Sequence, residues 1–195
     1  DMKQHHSTIV LVHGFNVRDG GANTIDRLKP YLDDHQIIEA DYGWIGLLGV
    51  RLFSKNLINL LAGMTPKHSI GIGHSNGCTK LVAACEKGAP FDRLILINPA
   101  LDRDYQFPLQ LQRIDVFHNL DDTAVAASRF LPFHSWGDMG RVGYMGTDRR
   151  VHNHETRSMF GVSGHSAIFS RAASFVSYLK DKLALNEHCS NCGRI

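Results

Sequence analysis

Three short apolar runs set the first constraint on this chain. They are Thr8, Ile9, Val10, Leu11 and Val12, then Ser69, Ile70, Gly71, Ile72 and Gly73, then Leu94, Ile95, Leu96 and Ile97. None alternates with polar residues, as a strand solvated on one face would; each reads as a strand covered on both faces. Between them lie segments of helical period. Over 44–64, Ile45, Leu48, Leu52, Leu60, Leu61 and Met64 share one side, with Arg51, Lys55 and Asn59 opposite. Helices are also predicted over 24–32, with Pro30 disturbing the last turn, over 76–87 and over 167–185. Further strands are predicted over 36–41, 93–98, 114–118 and 151–155. Strands alternating with helices predict an α/β fold, a mostly parallel central sheet flanked by helices with right-handed crossovers.

The chain has 195 residues, which sets the expectation of one domain over 1–195, with 1–7 and 186–195 as frayed tails. Lys and Arg number 21 against 19 Asp and Glu, and the basic residues form no stripe of the kind a nucleic-acid binder carries. No apolar run reaches the ~18–20 residues that span a bilayer. The polar start of the chain lacks a signal-peptide apolar region, so the expected compartment is the cytoplasm. Cys78 and Cys85 are seven apart on a predicted helix and are expected to pack as small apolar residues. Cys189 and Cys192, with His188, make half a zinc ribbon and read as tail thiols, because tetrahedral zinc wants about four ligands.

The segment that carries chemistry is Gly73, His74, Ser75, Asn76 and Gly77, a G-x-S-x-G between a predicted strand and a predicted helix. A serine on such a tight turn brings neighbouring backbones close, so both flanking positions must lack side chains. The turn lifts the Ser75 hydroxyl above the sheet edge and leaves the Asn76 N–H, at the helix start, aimed at the same place. No Gly-Lys-Ser/Thr follows, so this is not a Walker phosphate loop.

A serine nucleophile needs a base and a group that orients the base. On a strand–turn–helix scaffold the chain order runs serine, acid, histidine. The turn after the 114–118 strand holds two carboxylates, Asp121 and Asp122, and His165 follows Gly164 just before the last predicted helix.

With these features the sequence resembles the α/β-hydrolase superfamily, in the manner of its small, uncapped bacterial and phage members. The resemblance rests on His13, Gly14 and Phe15 after an early strand, the elbow at Ser75, the strand and turn from Leu94 to Ala100, the acid turn, and Gly164-His165. It covers about residues 8–180 and implies the fold, a Ser–Asp–His triad and hydrolysis. The family's acid often sits in a G-x-x-D-x-x-V turn. With Asn119 in the glycine place and Val125 closing the turn, that register selects Asp122 over Asp121. The resemblance further places a second oxyanion donor at the Phe15 N–H, beside that of Asn76. It implies a serine hydrolase of the carboxylesterase or thioesterase type with Ser75 as nucleophile, His165 as base and Asp122 as its orienting acid.

No cofactor or metal is expected, and the partner is a small-molecule ester or thioester, without nucleic acid or stable membrane insertion. An acyltransferase using the same triad, or a non-catalytic binding protein on a hydrolase scaffold, are the alternatives. His13 and His74 read as structural neighbours, and His152 with His154 as a solvated strand face lacking a third ligand. The 99–113 connection is too short for a cap domain. The longer insertion, 126–150, brings Pro132, Phe133, Trp136, Tyr144 and four glycines, and reads either as a substrate wall or as packing over the sheet edge.

Overall fold

The computed structural model describes residues 6–14, 22–40, 47–122 and 137–185. Within them six strands form one parallel sheet: β1 (His6–Val12), β2 (His35–Ala40), β3 (Ser69–His74), β4 (Phe91–Ile97), β5 (Arg113–His118) and β6 (Val151–Glu155). The spatial order is β2-β1-β3-β4-β5-β6, and every pairing is parallel. The order reverses direction between β1 and β3, the crevice where open α/β sheets place their sites.

Side chains of a strand alternate between faces, and the apolar runs feed both. Val10, Val12, Leu94, Leu96, Ile114 and Val116 face one way, against α1 (Leu47–Met64) and α2 (Asn76–Glu86) through Leu57, Leu61, Leu81, Val82 and Cys85. Ile9, Leu11, Ile72, Ile95, Ile97 and Phe117 face the other way. They meet Ile25, Leu28 and Leu32 and, at the far end of the chain, Ile168, Phe175, Val176 and Leu179.

The helices depart from expectation in form. The segment read as a helix over 24–32 is a 3₁₀ helix, Ile25–Tyr31, that contains Pro30. A proline lacks the N–H that an α-helical turn would use, and the tighter winding keeps the segment short. The last helix divides into a 3₁₀ stretch, Ala167–Arg171, and an α-helix, Ala172–Asp181. Two short helices fell below the length at which periodicity is legible: α3 (Met139–Val142) and α4 (Thr156–Phe160). The C-terminal helix Ala172–Asp181 is therefore α5.

Residues 99–113 form turns that bury Leu101, Phe107 and Leu111, with no cap in this segment. The described half of the insertion packs over the sheet edge. Tyr144 is buried against Phe107, and Asn153 of β6 bonds the Tyr144 backbone at both N and O. Pro132, Phe133 and Trp136 lie outside the described residues, as do Cys189 and Cys192. Among the described residues no helix is long and apolar enough to cross a membrane.

Candidate active site

β3 ends at His74 and α2 begins at Asn76, so the strand-to-helix reversal happens at Ser75 alone. Its backbone sits at φ +54°, ψ −122°. A non-glycine residue held in a conformation of this kind costs about 1–3 kcal/mol and persists only where its surroundings over-determine it. Those surroundings are visible. Ser75 N donates to Ile97 O at 2.9 Å, and the Ser75 carbonyl accepts from Cys78 N at 3.1 Å and Ala100 N at 3.3 Å.

The flanking glycines are required by space. A Cβ on Gly77 would press into the carbonyl oxygens of Val12 and His13, and one on Gly73 would lie 2.8 Å from Leu81 Cδ1. β1 and α2 thus close on the elbow from two sides. Cys78, one turn into the helix, is fully buried, which pushes its thiol up and keeps it protonated.

β5 delivers the acid. Past His118, Asn119 folds the chain into an Asx turn: its Oδ1 accepts from Asp121 N at 2.8 Å, and its carbonyl accepts from Asp122 N at 3.0 Å. Its amide donates to Thr156 Oγ1 and Val162 O, tying the acid turn to the α4 segment that leads to the histidine. Successive residues of this turn diverge. Asp121 points outward and pairs with Arg157 at 3.2 Å. Asp122 points inward, fully buried, and its two oxygens lie 3.0 and 2.9 Å from His165 Nδ1.

Two further residues complete the arrangement, of which sequence reasoning singled out only the second. Asn98, at the end of β4 with φ +45°, donates from Nδ2 to Asp122 Oδ2 at 3.1 Å and to Gly140 O at 3.2 Å. The signal available was the Asn98-Pro99 pair closing an apolar strand, a turn marker that says nothing of a partner. His74 was read as a neighbour and holds a more specific position. Its Nε2–H donates to His165 O at 2.9 Å, and its ring lies 4.7 Å from that of His165 and edge-on to Phe169 at 5.0 Å. Burial first, and His165 second, push His74 down to about 3, so it is neutral.

The sequence-predicted residues are therefore distributed as follows. Asp122 and His165 are in contact, and Ser75 directly follows the histidine that packs on His165. The Asn76 N–H stands at the head of α2, and Phe15 lies outside the described residues. His13 is buried, with Nδ1 2.8 Å from Gly14 O. Of the β6 pair, His152 is exposed, whereas His154 is not on a solvated face. His154 stacks on Phe117 and its Nε2 contacts the buried Asp115 at 2.9 Å, because β6 lies against β5 with α5 nearby. No group of three or more metal-ligating side chains occurs among the described residues.

No protein-family profile matches the chain, and no curated protein matches it. Solved structures do. The mouse α/β hydrolase domain-containing protein 10 superposes with a TM-score of 0.59 at 15% identity, over 90% of each chain. An extracellular α/β-hydrolase of a Paenibacillus species gives 0.56 at 12% identity, over 89% of this chain and 98% of that one. A Bacillus subtilis carboxylesterase gives 0.54 at 9%, over 92% and 85%.

Proposed function

This chain has the α/β-hydrolase fold, and on that premise we propose that it is a serine hydrolase that cleaves a carboxylic ester or thioester through an acyl-enzyme. The observation that carries the reading is the fully buried Asp122 carboxylate against His165 Nδ1, on a scaffold that holds Ser75 in a strained elbow. A carboxylate there makes Nδ1 the protonated nitrogen and leaves Nε2 with a lone pair for the serine.

In the first half-reaction Ser75 Oγ attacks the carbonyl carbon while His165 Nε2 takes the hydroxyl proton. Asp122 stabilises the imidazolium without accepting its proton. The negative charge gathers on the former carbonyl oxygen, which accepts hydrogen bonds from the Asn76 N–H and the Phe15 N–H. Collapse of the tetrahedral species breaks the bond to the alcohol or thiol, and His165 returns the proton to that leaving group. Water then attacks the acyl-enzyme, losing a proton to His165, and Ser75 is regenerated as the acid departs.

A fluorophosphonate probe tests the reading directly. The wild-type protein should be labelled and should turn over p-nitrophenyl esters. Ser75→Ala should lose the label and lower kcat by about 10⁴-fold or more while remaining folded. Turnover that survives this substitution removes the acyl-enzyme mechanism.

A further inference from the structure

A cleft of about 520 Å³ opens between the 3₁₀ helix Ile25–Tyr31 and the chain entering α5. Small-molecule sites have such volumes, with apolar walls and a few converging polar groups. Here the apolar surface comes from Pro30, Tyr31 and Phe169, and the charge from Arg27 on one wall and Arg171 on the other. No acidic residue is among the described residues that line it.

Arg27 and Arg171 are not held as five other described arginines are. Arg93, Arg103, Arg113, Arg150 and Arg157 each form an ion pair with an aspartate. Arg27 and Arg171 form none among the described residues, and both are exposed. The nearby acids are engaged elsewhere: Asp26 with Lys29 and Asp34 with Lys180. Two guanidinium groups across a cleft whose described lining holds no carboxylate leave a local positive charge that an anion with an apolar body would satisfy. Phe169, one of its walls, packs edge-on against His74, the residue before Ser75.

We propose that this cleft binds the anionic end of the substrate, a carboxylate or phosphate held by Arg27 and Arg171, so that the favoured ester carries negative charge away from its scissile bond. The substrate assignment rests on the reading of Ser75 as nucleophile, whereas anion binding in the cleft does not.

Two measurements separate these parts. In calorimetric titrations of the wild-type chain, benzoate or phenyl phosphate should bind at least about tenfold tighter than neutral benzyl alcohol. Whichever anion binds tighter identifies the group. Arg27→Gln with Arg171→Gln should abolish that advantage. Equal binding of the anions and the alcohol, or anion binding that survives both substitutions, overturns the proposal.

The second measurement compares mono-p-nitrophenyl esters of dicarboxylic acids of increasing length with neutral p-nitrophenyl esters. One length should exceed its neutral counterpart in kcat/KM by about tenfold, through a lower KM, and lose the gain in the double variant. The neutral esters should be hydrolysed equally well by both proteins. Neutral-ester turnover with no anionic preference overturns the substrate assignment and leaves Ser75 standing. Arginine-dependent benzoate binding without any ester turnover overturns the reading of Ser75 instead.

Discussion

His165 Nδ1 lies 2.9 Å from the buried carboxylate of Asp122, while Asp121, one residue earlier, faces outward onto Arg157. The adjacent aspartates therefore have separable consequences. Asp122→Asn keeps the shape of the side chain but no longer fixes the imidazole tautomer, a change that costs a comparable triad about 10⁴ in kcat. Asp121→Asn removes one exposed ion pair, worth about 0–1 kcal/mol of stability. Steady-state kinetics on a p-nitrophenyl ester should show the first variant crippled and the second within about twofold of wild type. The reverse order assigns the acid to Asp121.

Asn98 gives the next expectation. Its amide is one of the groups that hold the Asp122 carboxylate in place, and it also anchors the Gly140 backbone. A hydrogen bond to a charged group is worth about 1.5–3 kcal/mol. Asn98→Ala should therefore lower kcat about ten- to a hundredfold with KM little changed. Asn98→Asp sets a second carboxylate against Asp122 and should be worse than alanine. If the aspartate variant equals wild type, the bridge has no part in turnover.

The alternation of apolar strands and helical segments was enough to read the parallel sheet, since burying both faces leaves no other use for runs such as 8–12 and 94–97. The elbow at Ser75 was legible for a similar reason, because two glycines at that spacing answer a local steric demand. Set against the turn pattern of the family it resembles, the spacing from Asn119 to Val125 singled out Asp122, and Asp122 is the carboxylate that meets His165; its part in turnover belongs to the proposal. What local pattern does not encode is contact across distant segments. Asn98 reaches Asp122 and Gly140 from another strand. His154 looked solvated because nothing in its neighbourhood shows that Asp115 and Phe117 stand beside it on β5.

His74 makes a positioning claim that is separable from simple packing. His74→Phe preserves a ring but loses the donor to His165 O. A misplacement of about 1 Å can cost about a hundredfold. His74→Phe should thus lower kcat up to about that much at nearly constant KM, and His74→Gln, which retains a donor at similar reach, should recover part of it. The acid limb of stability should change as well. His74 is neutral in the fold down to about 3, whereas the unfolded chain protonates it near the ordinary histidine value of about 6.5. Between those values the unfolded state binds the extra proton, so stability falls as pH falls. His118, also pushed down by burial, acts in the same direction. Melting temperature against pH should be flatter from about 6.5 towards 4 in His74→Phe than in wild type.

The final expectation concerns a carboxylate that holds the sheet rather than the site. Asp115 is fully buried on β5 and accepts from Arg93 at 2.6 Å, Arg113 at 3.0 Å and His154 at 2.9 Å. Arg93 also donates to Leu183 O, fastening the chain beyond α5 to the start of β4. Burial alone would raise the Asp115 carboxyl, and its three cationic or hydrogen-bonding neighbours overcome that and hold it below the usual range. Its stabilising contribution is therefore present above the unfolded aspartate value of about 3.9 and is lost as pH falls below it. Breaking a buried pair by removing one partner costs about 3–5 kcal/mol, since the charge left behind has no counterpart. Asp115→Leu should lose that much in urea unfolding at pH 7 and lose less stability than wild type between about pH 4 and 2. The fraction that remains folded should hydrolyse esters at the wild-type kcat, because Asp115 touches none of Ser75, Asp122 or His165 in the described contacts. A kcat that falls in step with stability at full folded occupancy would place this network in the catalytic machinery instead.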